Sequence, residues 1–125
     1  MNPFGRHILA EFYQCSPQIL NDAEKIEQIM VEAALRAGAE VREVVFHRFA
    51  PWGVSGVVII SESHLAIHTF PEFGYASVDI YTCGNKINPY AAYQYLADQI
   101  QVPCTLVKEL RRGFGEITEV TGEWV

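Results

Sequence analysis

The chain has 125 residues, half of them apolar, with 15 acidic side chains against 9 basic ones. That length fits one domain, residues 1–125, and the acidic excess, carrying no block of like charge, argues against a nucleic-acid surface. No apolar stretch approaches the roughly 20 residues that span a bilayer, and no basic segment leads into an apolar core at the start. The three cysteines without CxxC spacing suit a reduced, cytoplasmic protein better than a disulfide scaffold or a structural zinc site.

The first strand is expected over His7–Tyr13, where Ile8 and Ala10 alternate with Leu9 and Glu11. A helix follows: Asn21-Asp22-Ala23-Glu24 resembles a capping box, Ile26, Ile29, Met30, Ala33 and Ala37 make one apolar stripe, and Gly38 is placed to end it. Val41–Phe49, Gly53–Ile60, Leu65–Phe70 and Tyr75–Cys83 read as four further strands. Asn88-Pro89 offers an N-cap and a proline at the first helical position, opening a second helix that runs to about Ile100. Two short strands, Cys104–Val107 and Glu116–Val120, are expected on either side of Arg111-Arg112-Gly113. Cys15 and Cys104 sit in apolar surroundings and read as core.

Many strands with two helices predict an α+β fold, a two-layer sandwich whose mostly antiparallel sheet carries both helices on one face. The other face is left bare. With this much apolar residue in the strands, a second copy of the chain is expected to cover it, giving a homodimer.

The stretch Val57–Ile60 is apolar, breaks into Ser61-Glu62-Ser63-His64, and returns to apolar alternation at Leu65. Pro71-Glu72-Phe73-Gly74 reads as a hairpin turn. If Phe70 pairs with Tyr75, His68 falls opposite Ser77 and Glu62 opposite Cys83, so Cys83 lands beside the Glu62–Ser63 peptide bond. Ser77, Asp79, Tyr81 and Cys83 share one face of their strand, and a thiol among polar groups beside a serine is a candidate for chemistry. His68 lies five residues beyond Ser63, roughly 16 Å along an extended strand, and on the opposite parity. Within one chain it does not reach Ser63. A partner's His68 approaching across the bare face removes the difficulty.

These residues resemble the bacterial and archaeal S-adenosylmethionine decarboxylases that use a pyruvoyl group. The similarity runs through "SGVVIISESHLAIHTFPEFGYASVDIYTCG", "GRHILAEFYQC", "GAEVREVVFHRFAPWGVSG" and "NPYAAY", most of the chain. The resemblance implies that Ser63 attacks the carbonyl of Glu62 and that β-elimination cuts the chain into residues 1–62 and 63–125, leaving a pyruvoyl group derived from Ser63. It implies that His68 takes the proton in processing, with Ser55 assisting. It implies a Schiff base with S-adenosylmethionine, protonation on carbon by Cys83 after carbon dioxide leaves, and a product that donates the aminopropyl group for spermidine synthesis. Phe49 matches the adenine-stacking position and Glu72 the ribose-binding carboxylate, the latter serving the partner's site together with His68.

Rival expectations stand beside these. The same pyruvoyl chemistry acts on arginine or ornithine in a pocket that replaces the adenine and ribose contacts by carboxylates, and a non-catalytic relative stays unprocessed and binds or regulates. Retention of Phe49 and Glu72 favours the adenosyl substrate, and retention of Ser63 and His68 favours an enzyme. His64, His68 and Cys83 match no familiar metal-ligand spacing, so no metal is expected. Phe49 as a core residue, Glu72 as a solvated turn carboxylate and His7 and His47 as structural residues are the bland alternatives.

Overall fold

The computed structural model describes residues 5–120. Strand β1 (Gly5–Tyr13) leads into a one-turn helix α1 (Pro17–Leu20) and the longer α2 (Ala23–Arg36). Strands β2 (Glu40–Arg48), β3 (Val54–Ser61) and β4 (Ser63–Phe70) follow, then a 3-10 turn over Pro71–Phe73 and strand β5 (Tyr75–Cys83). Helix α3 (Pro89–Ile100) and strands β6 (Cys104–Phe114) and β7 (Glu116–Val120) complete the described chain.

Local chemistry accounts for the helix ends. Asp22 caps α2, its side chain accepting from Lys25 N, with Glu24 in the first turn; the third helical position is Lys25, so the expected capping box is a single aspartate cap. Asn88 caps α3 by accepting from the amides of Tyr90 and Ala91, with Pro89 first in the helix, as expected. Helix α1 was not anticipated. Its signal was present in Ser16-Pro17: the serine accepts from Ile19 N and the proline opens the turn.

The seven strands form one sheet in the order β2-β3-β4-β5-β1-β6-β7, and all six neighbouring pairs are antiparallel. The long strand β6 corrects the expectation of a short Cys104–Val107. It runs on through Arg111 and Arg112, which pair with Arg6 and Gly5, because β1 offers partners along its whole length. The polar Arg-Arg-Gly sequence reads as a turn only when that template is ignored.

The core lies between one sheet face and the helices. Ile8, Ala10 and Phe12 of β1, Val58 and Ile60 of β3, Leu65 and Ile67 of β4, and Val78 and Ile80 of β5 pack with Ile26, Met30, Leu96 and Ile100. Each fully buried aliphatic side chain contributes about 1.5–3 kcal/mol. One carboxylate is sealed on this face: Glu109, 2% exposed, accepts from Arg6 Nε at 2.8 Å and from the Tyr90 hydroxyl at 2.5 Å. These partners hold its pKa below the usual carboxylate range although burial opposes ionisation. Cys15 is buried as expected, and desolvation raises its thiol pKa to about 11. Cys104 is exposed, which corrects its assignment to the core: it opens β6 on the open side of the sheet. Among the described residues, no helix is long and apolar enough to cross a membrane.

Candidate active site

Ser55, His68 and Cys83 lie on the open sheet face, whereas Ser63 pairs with core-facing Ile60 at the strand junction and Phe49 and Glu72 lie in connections. The strand directions sort them into two groups at opposite ends. Strand β3 ends at Ser61 and β4 begins at Ser63, so Glu62 alone makes the connection. Ser63 is half-buried and sits at φ +154°, outside the regions that side chains of L-residues favour. Beside it, Arg42 donates from Nε to Ser61 Oγ at 2.5 Å and pairs with Glu40 at 2.6 Å. A bulge between Val41 and Glu43 breaks the register there. The sequence carries no visible sign of this arginine's position, because one extra residue in a strand leaves no compositional mark.

Strand β5 arrives at the same end. Phe70 pairs with Tyr75 and His68 with Ser77, as the hairpin count required. The ladder continues to His64–Tyr81, two residues short of Glu62 and Cys83. Cys83 is half-buried and pairs on its other side with Gly5. That glycine is required by the Tyr81 ring: a Cβ on it would sit 2.5 Å from the Tyr81 hydroxyl. Tyr81 lies among His7 (5.4 Å between ring centroids), His64 (5.9 Å) and the Arg112 guanidinium, 4.8 Å above its ring. His7 Nε2 contacts Asp79 at 2.9 Å, and this hydrogen bond holds the Asp79 carboxyl below its ordinary pKa. Burial, with help from the nearby His7 and Arg112, lowers the pKa of His64 and favours its neutral form.

The second group lies at the far end of the same strands. Ser55 and His68 face each other across β3 and β4, with Ser55 Oγ 2.8 Å from His68 Nδ1. His47 stands opposite Ser55 and meets Phe49 edge-on at 4.5 Å. Phe49 is 47% exposed, so it is not a core residue. Glu72 is exposed in the 3-10 turn. Phe70 stacks on Tyr75, whose hydroxyl donates to Glu11; burial and this carboxylate raise the Tyr75 pKa to about 12. The chain thus brings Ser55 and His68 together and sets Ser63 and Cys83 near one sheet end. It keeps the two groups apart, His68 lying five positions beyond Ser63 along one strand. Among the described residues, no three His, Cys, Asp or Glu side chains group so as to hold a metal ion.

Fold and site together define a two-layer α+β domain whose open sheet face displays a serine–histidine pair and a cysteine, with a further serine at the strand junction. Residues 6–113 match the family model described as S-adenosylmethionine decarboxylase. The chain is 59% identical over 113 residues to the S-adenosylmethionine decarboxylase proenzyme of Moorella thermoacetica, covering 90% of each chain. It is 60% identical over 116 residues to the proenzyme of Acetivibrio thermocellus, covering 93% of this chain and 94% of that one. The crystal structure of the adenosylmethionine decarboxylase from Aquifex aeolicus superposes with a TM-score of 0.86 at 33% identity, over 93% of this chain and 96% of the other. The chain belongs to the S-adenosylmethionine decarboxylase family.

Proposed function

We propose that this chain is a self-processing S-adenosylmethionine decarboxylase that makes a pyruvoyl group from Ser63 and works as a cytoplasmic homodimer. The observation that carries the processing step is the backbone at the β3–β4 junction: Ser63 is held at φ +154° with only Glu62 between two core strands. Such a conformation costs a non-glycine residue of order 1–3 kcal/mol, and cutting the Glu62–Ser63 bond releases it.

The residues present fit the chemistry. Ser63 Oγ attacks the Glu62 carbonyl carbon, and the amide becomes an ester with a free Ser63 nitrogen. Loss of the Ser63 Cα proton and cleavage of the ester C–O bond give a Glu62 carboxylate and dehydroalanine. One water enters and one ammonia leaves, so that residue 63 ends as pyruvoyl. A hydroxyl needs a base for the first step. With Nδ1–H donating to Ser55 Oγ, His68 presents Nε2 for that proton. The pyruvoyl carbonyls supply an electron sink for loss of carbon dioxide from an α-amino acid. Cys83 Sγ then delivers a proton to carbon, the exposed Phe49 ring offers a face for adenine, and the Glu72 carboxylate accepts from ribose hydroxyls.

These residues meet only in a dimer. The open face exposes Val45 (59%), Ile59 (40%), Phe70 (41%) and Leu106 (61%), apolar area that a partner sheet would cover. A two-fold axis lying in that interface and crossing the strands reverses their direction. It brings the Ser63–Cys83 end of one chain over the Ser55–His68–Glu72 end of the other and creates two identical sites. The substrate is tested by carbon dioxide release from S-adenosylmethionine and from arginine. Release from the first and none from the second is expected, and the reverse would overturn the adenosyl assignment.

A further inference from the structure

We propose that Asn21 is a positioning residue for substrate binding, acting through the loop that presents Phe49; this rests on the reading of Phe49 as the adenine-stacking residue. The loop is the connection from Arg48 to Val54, the last pair of the β2–β3 ladder. It closes on itself where Phe49 N donates to Gly53 O at 2.8 Å. Five residues with two exposed aromatic rings, Phe49 and Trp52, have little of their own to hold them still.

Beyond the His47–Phe49 ring contact, what holds them comes from outside the hairpin. Asn21 Oδ1 accepts from Gly53 N at 2.9 Å, and Asn21 Nδ2 donates to Pro51 O at 3.5 Å. The Asn21 backbone carbonyl accepts from Arg48 Nε at 3.3 Å. One residue, the C-cap of α1, therefore touches the entry, the middle and the exit of the loop. Gly53 has to be glycine for this geometry. Its φ is +115°, and a Cβ there would meet the Thr69 carbonyl oxygen at 3.3 Å.

The clasp stands on a rigid base. Leu20, next to Asn21, is fully buried, and its carbonyl accepts from Thr69 Oγ1 at 2.8 Å. The same Thr69 oxygen accepts from Val54 N at 2.9 Å. Thr69 and Val54 are the sequence neighbours of His68 and Ser55, so loop and serine–histidine pair are hung from one point of the helix layer. A stacking surface contributes to binding in proportion to how little it must be ordered when the ligand arrives. Freed of its clasp, the loop would bear that cost at every binding event. Ser55 and His68 are held by the β3–β4 ladder and by Thr69 rather than by the Asn21 side chain, so the chemistry would be untouched.

The test compares Asn21→Ala, Asn21→Asp and Phe49→Ala in the full chain, measuring KM, kcat and the extent of chain cleavage. Asn21→Ala should raise the KM for S-adenosylmethionine about fivefold, the worth of one to two ordinary hydrogen bonds, with kcat and cleavage unchanged. Asn21→Asp keeps the acceptor for Gly53 N and should restore most of the loss. Asn21→Ala added to Phe49→Ala should raise KM no further, since its effect runs through that ring. If Phe49→Ala raises KM and Asn21→Ala does not, the inference is overturned while the Phe49 reading stands. If Phe49→Ala leaves KM unchanged, the reading falls and takes the inference with it. Equal losses in kcat, cleavage and KM for Asn21→Ala, unrelieved by Asn21→Asp, would reduce Asn21 to a structural residue and overturn the inference.

Discussion

Ser63 and Cys83 do different work in this account, and single substitutions separate them. Ser63→Ala removes the only hydroxyl that leads to a pyruvoyl group, so it should leave an uncut, inactive chain. Cys83→Ala should still be cut, because the thiol acts after processing, but its turnover should fall by about 10²- to 10⁴-fold, the usual worth of a positioned acid. Gel analysis and a decarboxylation assay on the same samples check both, and a fully active Cys83→Ala would refute the proton-donor role. Much of this site was legible in the chain because its polar residues interrupt apolar runs. The family resemblance gave Ser55 an assisting role but not its contact with His68. That contact could have been counted: from the Ile60–Ser63 pair beside the junction, the antiparallel register leads outward to Ser55–His68. Arg42 could not, because its place beside Ser61 depends on a bulge that no local propensity announces.

At the scale of elements, the β4–β5 hairpin was readable in register because its turn and both alternations agree, although β4 begins at Ser63 rather than Leu65 and its ladder stops at His64–Tyr81. Strand β6 was not, because Arg111-Arg112-Gly113 has turn composition while β1 supplies a partner for its backbone; tertiary pairing outweighs local preference. Strands β1 and β5 are tied across the open face by His7 and Asp79. The Asp79 pKa is lowered from 3.8, first by the His7 hydrogen bond. A carboxylate with a depressed folded pKa stabilises the fold at pH above its unfolded value, and that contribution is lost as pH falls through the folded value. Asp79→Asn should therefore melt at a lower temperature than the parent near neutrality, and the difference should shrink between about pH 5 and pH 2. Thermal melts across that range test it; a difference that stays constant into acid would show that the His7–Asp79 hydrogen bond is not its source.

For the whole molecule, the two residue groups at opposite sheet ends make a specific demand. If each site takes Ser63 and Cys83 from one chain and His68 from the other, two defective chains should repair one another. Co-expressed Cys83→Ala and His68→Ala chains should form mixed dimers with one intact site, recovering up to about half the activity of the parent dimer. No recovery, despite mixed dimers isolated by two affinity tags, would place each site within a single chain. The bare sheet face was legible from strand patterning alone, whereas the orientation proposed for a covering partner depends on which residues lie at which end. Under both expectations lies the claim that the chain cuts itself. The denatured mass spectrum of freshly purified protein tests that most directly. Two fragments, residues 1–62 and residues 63–125, the second beginning with a carbonyl and no amine, are the predicted result. A single intact chain after prolonged incubation would contradict it.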